Sequence, residues 1–309
     1  MSDLFNERKV SPMLIKEEKP PFDSEDYIYE LKFDGIRSVA YLDDRVDLRN
    51  RRGIMITSLF PELSDINKQV SGKCILDGEL VVLKDGKPDF YEVQRRTVMR
   101  DPFKIQLAST KYPASFIVYD ILYYQDKELL SSPLIERKEL LQSVINENNR
   151  LIFSRYIETY GKQLYDLANA QKFEGIVAKR KDSKYYMGKK AEFWIKSKFY
   201  DSIDAVVCGY IYKPNDMTSI IIGQYMGSKL VYKGHVTLGA GIKKLNKYGY
   251  KVIDQSPFGY VPRGNEGAVW IQPDIVCTIE YMPSKREGMR LPIFREIRDD
   301  KSPIECQVD

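Results

Sequence analysis

The chain reads as an α+β protein in two parts, and three observations carry that reading. Over the first 200 residues, runs of period-2 apolar alternation are broken by turn residues and separated by helical patterns. Beyond residue 204, short strands predominate around a single helix candidate. The length of 309 residues suits roughly two domains at about 150 residues each. The expectation is an α+β domain of antiparallel sheets with helices over residues 1–200. A small β-barrel of OB-fold type follows over residues 201–309, with the boundary near Tyr200.

The elements follow in order. Residues 1–26 read as an irregular lead-in, because Pro12, Pro20 and Pro21 interrupt regular structure. Tyr27, Tyr29, Leu31 and Phe33 then share one face of a strand, and Ile28, Glu30 and Lys32 share the other. Asp34-Gly35 closes that run as a turn, and residues 37–42 resume it. Cys74-Ile75-Leu76 leads through Asp77-Gly78-Glu79 into residues 80–83, with Asp85-Gly86 as a hairpin signal. Residues 116–122 form a β-branched and aromatic run. Residues 135–146 and 161–172 are helical in pattern, and 175–179 and 193–198 are strands again. In the second part, strands are expected at 205–211, 219–225, 230–235, 275–281 and 294–297, with a helix at 241–248.

Composition excludes several classes. There are 48 basic and 44 acidic residues, a net charge of +4, with 30% charged and 43% hydrophobic residues. This balance is that of a globular protein, not of a disordered, collagenous or disulfide-stapled chain. No apolar run approaches the roughly 18 residues that span a bilayer, and the first 20 residues lack a signal-peptide pattern. The expectation is a cytoplasmic protein. Cys74, Cys208, Cys277 and Cys306 are scattered without a C-x-x-C pair, which fits a reducing compartment and disfavours zinc. His235 is the only histidine, so His-based triads and His-rich metal sites are excluded, and His235 itself reads as structural or surface. The pI near 8.6 permits nucleic acid as a partner without demanding it.

Chemistry is left to Lys, Arg, Asp, Glu and Tyr. In Glu30-Leu31-Lys32-Phe33-Asp34-Gly35-Ile36-Arg37, alternation turns Glu30 and Lys32 to one side. Alone, K-x-D-G is better explained by a charged surface strand. A lysine becomes a nucleophile when nearby cations and desolvation favour its neutral form. Such cations exist downstream: Lys196 and Lys198 share a face of Phe193-Trp194-Ile195-Lys196-Ser197-Lys198, an arrangement that is costly without an anion between them. Glu79 and Glu174 are oxygen donors of the kind magnesium uses with a nucleotide. Tyr119 is either a core tyrosine or a platform for a base.

The order of these pieces is more specific than any one of them. E-x-K-x-D-G-x-R, D-G-E, Y-D-I-L, E-G-I-V-A-K and W-I-K-S-K succeed one another over residues 27–200. Arg298, Asp300 and Lys301 follow in an R-x-D-K pattern. The series resembles the covalent nucleotidyltransferase superfamily, and within it the ATP-dependent DNA ligases, with the ligase domain of bacterial ligase D as the nearest match. The resemblance implies an adenylation domain followed by an OB-fold domain. It implies that Lys32 attacks the α-phosphate of ATP to form lysyl-AMP, which passes to a 5′-phosphate at a nick before the 3′-hydroxyl seals the strand. Lys196 and Lys198 would contact the α-phosphate and keep Lys32 neutral. Glu30 would read the adenine amino group, Tyr119 would stack on the base and Arg37 would contact the ribose and the nick phosphate. Glu174 and Glu79 would hold magnesium or manganese, with ribose as a second role for Glu79. Arg298, Asp300 and Lys301 would orient the departing pyrophosphate. Arg49, Arg51, Arg52, Arg95 and Arg96 are candidate DNA contacts, with Lys243 and Lys244 beside them. Each reads equally well as a solvated face. The implied substrate is nicked or broken duplex DNA. Ku and separate polymerase or nuclease proteins are the implied partners of a monomer. A capping-type guanylyltransferase, an RNA ligase and a non-catalytic DNA-end-binding protein are the alternatives.

Overall fold

The structure is a computed structural model. It describes residues 3–308 except 85, 215–216, 239–242 and 284–287, and the side chains of 243 and 244. The chain forms two units, Met1–Lys198 and Phe199–Asp309.

The first unit is built on two sheets. It opens with α1 (Leu4–Glu7), β1 (Leu14–Glu18), β2 (Ser24–Leu31), β3 (Ile36–Leu42) and β4 (Val46–Asn50). Then come β5 (Cys74–Lys84), β6 (Lys87–Pro88), α2 (Phe90–Thr97), α3 (Pro102–Lys111), β7 (Ala114–Tyr124) and β8 (Lys127–Glu128). The unit ends with α4 (Leu134–Val144), β9 (Leu151–Phe153), β10 (Tyr156–Thr159), α5 (Gly161–Ala170), β11 (Gly175–Arg180) and β12 (Lys190–Lys198). One sheet runs β1-β12-β11-β2-β10. The other runs β4-β3-β5-β7-β8, with β6 on β5 and β9 on β7.

Alternation along the strands makes two apolar layers. Ala40, Leu42, Cys74 and Leu76 face one cluster, while Val39, Tyr41 and Ile75 face the other, where Val177, Ala191 and Trp194 of the first sheet meet them. A one-residue slip would exchange the faces, so the register is strongly specified. Glycine matters in the D-G-E strand: a Cβ on Gly78 would lie 2.5 Å from the Ile117 carbonyl oxygen.

The lead-in is a correction. Asp3 caps α1, whose Leu4 and Phe5 are buried, and β1 pairs in parallel with β12. The prolines fall outside these two elements, so they bound them instead of preventing them. The 46–50 strand and the helices α2 and α3 were also not foreseen. Asp89 and Asp101 cap the two helices, and Pro102 occupies a first-turn position of α3.

The second unit contains β13 (Asp201–Lys213), β14 (Met217–Met226), β15 (Lys229–Leu238), α6 (Lys243–Asn246), β16 (Val252–Ile253), β17 (Val269–Met282) and β18 (Arg290–Ile297). The sheet order is β15-β14-β13-β17-β16, with β18 on β17. Ala205 and Val207 pack on one side of β13, Val206 and Cys208 on the other. The five predicted strands fall within these elements, whereas the helix expected over 241–248 is shorter, with 247–248 forming a turn. The first two residues of the predicted helix, and Asp85 of the hairpin signal, lie outside the described residues. All four cysteines are free and buried. Burial pushes the Cys74 thiol up to about 12 and Cys306 to about 11. Among the described residues, no helix is long and apolar enough to cross a membrane.

Candidate active site

A cavity of about 390 Å³ opens in the first unit. Glu30, Lys32, Arg37, Arg51, Glu79, Tyr119, Lys196 and Lys198 line it, so eight of the residues singled out from sequence meet in one place. Its volume is in the range of small-molecule sites. Both sheets contribute: β3, β5 and β7 supply Arg37, Glu79 and Tyr119, while β2 supplies Glu30, β11 supplies Lys179 and β12 supplies Lys196 and Lys198.

Lys32 follows directly on β2, where its backbone N–H donates to the Gly175 carbonyl at 2.9 Å. Its Nζ donates to Glu174 Oε2 at 2.6 Å, and Glu174 Oε1 lies 3.5 Å from Lys198 Nζ. Gly175 permits this approach. Its φ is +149°, and a Cβ there would meet the Ser197 carbonyl oxygen at 2.1 Å. Lys196 has a separate carboxylate, Glu18, at 3.2 Å. Within the protein, each of the two lysines thus meets its own carboxylate.

Arg37 is braced from below. Its Nε and Nη2 donate to the Asp77 carboxylate at 3.0 and 2.6 Å, and the Tyr185 hydroxyl donates to Asp77 Oδ2 at 2.6 Å. Asp77 is fully buried. Glu79 pairs with Arg37 across β3 and β5. Burial raises the Glu79 carboxyl, and the charges of Lys32 and Arg37 only partly oppose this, leaving it at about 8.

Glu30, also on the cavity wall, is buried and enclosed by donors. Ser154 Oγ donates to Glu30 Oε2 at 2.7 Å, and Lys179 Nζ does so at 3.1 Å. Lys138 Nζ lies 3.0 Å from Oε1. Burial lowers the Lys179 ammonium to about 8; the Lys138 charge adds to this and Glu30 opposes it. Lys179 Nζ also sits 4.3 Å from the ring centroids of both Tyr119 and Trp194.

The R-x-D-K residues form a cluster on the second unit. Arg298 makes a two-pronged pair with Asp300 at 2.7 and 2.7 Å and reaches Asp204 at 3.3 Å. Lys301 Nζ donates to Asp204 at 2.8 Å, and Thr278 Oγ1 to its other oxygen at 2.7 Å. Burial alone would raise the Asp204 carboxyl, but the hydrogen bonds and charges of these partners hold it below its ordinary value.

The DNA-contact candidates separate. Arg96 is a correction: it is 1% exposed, clamps Glu62 at 2.9 and 2.9 Å and donates to the Leu59 carbonyl at 3.2 Å. It braces the core and offers nothing to DNA. Arg51 lines the cavity. Arg49 is held by Asp47 at 3.0 Å, and the exposed Arg95 pairs with Glu92 at 2.7 Å. Arg52 is exposed. The side chains of Lys243 and Lys244 lie outside the described residues. His235 is half-buried and edge-on to Tyr232, as a structural residue would be.

Asp77, Lys179 and Trp194 were within quoted motifs but had no role assigned. Lys138 and Tyr185 were missed altogether, because their contacts are long-range and leave no local pattern. Among the described residues, no group of three or more His, Cys, Asp or Glu is arranged to hold a metal. Glu79 and Glu174 nevertheless suit magnesium, which takes one or two carboxylates together with substrate phosphates.

The architecture is a nucleotidyltransferase-like unit followed by an OB-fold-like unit, as in solved ligases. Residues 12–198 match the family described as ATP dependent DNA ligase domain, and 213–301 match the ATP dependent DNA ligase C terminal region. The chain belongs to the ATP-dependent DNA ligase family. It is 33% identical over 206 residues to the SPbeta prophage-derived DNA ligase-like protein LigB of Bacillus subtilis, covering 66% of this chain and 73% of that protein. It is 28% identical over 294 residues to the multifunctional non-homologous end joining DNA repair protein LigD of Mycobacterium tuberculosis. That match covers 90% of this chain but 37% of the longer protein. The crystal structure of the ligase domain from M. tuberculosis LigD superposes with a TM-score of 0.57 at 25% identity, over 98% of this chain and 99% of that one. The family membership favours the ligase reading over the guanylyltransferase, RNA-ligase and non-catalytic alternatives.

Proposed function

We propose that this chain seals nicked or broken duplex DNA through a lysyl-AMP intermediate on Lys32. The observation that carries the proposal is the Lys32–Glu174–Lys198 cluster, whose two lysines line the cavity. Lys32 Nζ attacks the α-phosphorus of ATP, a P–N bond forms and the P–O bond to pyrophosphate breaks. Glu174, 2.6 Å from Nζ, is positioned to accept the proton that Nζ loses. Lys196 and Lys198 neutralise charge on the α-phosphate, the main requirement of phosphoryl chemistry. AMP then moves to the 5′-phosphate as the P–N bond breaks. Attack by the 3′-hydroxyl on that phosphate forms the phosphodiester and releases AMP.

Glu30 takes the adenine amino group and Tyr119 its face. Arg37, held flat by Asp77, serves ribose and then the nick phosphate. Glu79 and Glu174 would hold a divalent cation, magnesium or manganese, which would supply charge neutralisation at the phosphates. Arg298 and Lys301, with Asp300 aligning Arg298, orient the pyrophosphate. Arg52, Arg95 and Arg49 contact the DNA backbone. Similarity to LigD supports a place in end joining, with Ku and separate end-processing enzymes as partners.

The test is the intact mass of wild type and Lys32→Ala after incubation with magnesium and either ATP or GTP. An AMP adduct on wild type alone, discharged by nicked duplex with sealing, is the expected result. A GMP adduct would transfer the chain to the guanylyltransferases. No adduct on protein first cleared of AMP with pyrophosphate would leave a binding role.

A further inference from the structure

Tyr185 takes part in no step of the ligase reading, yet its hydroxyl holds a group that does. The residue stands in the segment between β11 and β12 and is buried. Its hydroxyl donates to Asp77 Oδ2 at 2.6 Å and accepts from the Met13 N–H at 3.0 Å and from Arg37 Nη2 at 3.4 Å. Asp77 Oδ2 thereby receives both Tyr185 and Arg37 Nη2, while Oδ1 receives Arg37 Nε. A two-pronged Arg–Asp pair fixes its partners relative to each other, but the pair can still swing as a unit about its side-chain torsions. A third bond, from a separate segment of chain, removes that freedom. The ring that supplies it is itself held: Trp194 lies edge-on at 6.2 Å, and the Arg137 guanidinium is 5.8 Å from its centroid. Arg137 in turn is clamped to Asp120 at 2.7 and 2.9 Å, both fully buried. The N-terminal chain closes the other side, where the Leu14 N–H donates to the Lys189 carbonyl at 2.8 Å and the Gly188 N–H to the Ser11 carbonyl at 2.9 Å. One edge is left over. Arg37 turns Nε and Nη2 inward, and its Nη1 has no partner among the described residues, on a side chain that lines the cavity. Stability alone does not account for this arrangement, because apolar residues of similar volume serve a core as well as a buried ion pair does.

We infer that Tyr185 is a positioning residue of the cavity: its hydroxyl fixes the Asp77 carboxylate, and through it the orientation in which Arg37 presents Nη1 to the substrate. By accepting from Met13, the same hydroxyl ties that orientation to the chain entering β1, so the N-terminal segment and the arginine are set together. The inference rests on the reading of Arg37 as the group that serves ribose and then the nick phosphate.

The experiment measures the single-turnover rate constant of AMP-adduct formation in four proteins: wild type, Tyr185→Phe, Arg37→Ala with Asp77→Ala, and all three changes together. Tyr185→Phe keeps the ring and deletes the hydroxyl. Removing Arg37 and Asp77 as a pair leaves neither charge buried without the other. Tyr185→Phe should lower the rate constant about tenfold or more when Arg37 and Asp77 are present, as a misplaced binding group does. It should lower it less than about twofold when they are absent. The rate constant is read from the time course and not from its amplitude, so a partly folded preparation still separates the outcomes. Equal rate constants for wild type and Tyr185→Phe overturn the inference. An equal loss in both backgrounds overturns it too, since the effect would then lie in the Met13 bond or the packing of the ring. Sealing of pre-adenylated nicks gives a second reading of the same two ratios, and there again a loss that survives removal of Arg37 and Asp77 overturns the inference. A paired variant as fast as wild type removes Arg37 from the reaction, and the inference with it. A wild type that forms no adduct overturns the nucleotide reading itself, a separate result.

Discussion

Two clusters in this protein share a plan and differ in setting. In the first unit Glu174 lies between Lys32 and Lys198, and in the second Asp204 lies between Arg298 and Lys301. The first carboxylate is 7% exposed and paired with two lysines that line a cavity. The second is 15% exposed, and one of its cations shares itself with Asp300, which is 69% exposed. A pair in a low-dielectric cavity interacts strongly and is poorly screened, whereas one near solvent is weakened by salt and by competing partners. Under the proposed function, the same arrangement serves covalent chemistry in one unit and a reversible grip on a leaving group in the other.

Three changes break or sharpen that comparison. Glu174→Ala is expected to have the largest effect, since it leaves Lys32 and Lys198 without their shared carboxylate. Adduct formation measured by quenched flow should fall ~100-fold or more. An unchanged rate would remove Glu174 from the chemistry. Arg298→Ala should slow adduct formation at least ~10-fold while sealing of pre-adenylated nicks stays within about twofold. Equal losses in both assays would refute a role confined to the pyrophosphate step. The smallest effect is expected for Asp204→Asn, a loss of about 1–3 kcal/mol in urea unfolding at neutral pH. The sign with pH follows from its lowered native pKa. The stabilisation is fully present above the unfolded value of about 3.9 and disappears as pH falls through the native one. Wild type should thus lose its advantage over Asp204→Asn below about pH 4. A constant difference down to strong acid would contradict the ion-pair account.

Much of the site was legible because its residues sit at fixed offsets on strands. Lys196 and Lys198, or Glu30 and Lys32, are set on one side by alternation alone. Their order along the chain then carried the family. What stayed hidden depends on packing between distant segments. Arg95 and Arg96 look alike in sequence, yet Arg96 is three residues after buried Val93 on α2 and turns inward with it, while Arg95 faces water. Lys138 is separated from Glu30 by more than a hundred residues, and no local pattern distinguishes it from the exposed lysines of the chain. The N-terminal lead-in failed for a related reason: β1 exists because β12 is there to pair with it.

The four buried cysteines have a practical consequence. Their thiols are shielded from reagents and resist forming thiolate, Cys74 at about 12 and Cys306 at about 11. A cysteine introduced at an exposed position such as Arg52 or Tyr260 would therefore be the one that a maleimide dye finds. One dye on each unit would turn the native chain, with no thiol removed, into a fluorescence ruler for every stage of its turnover.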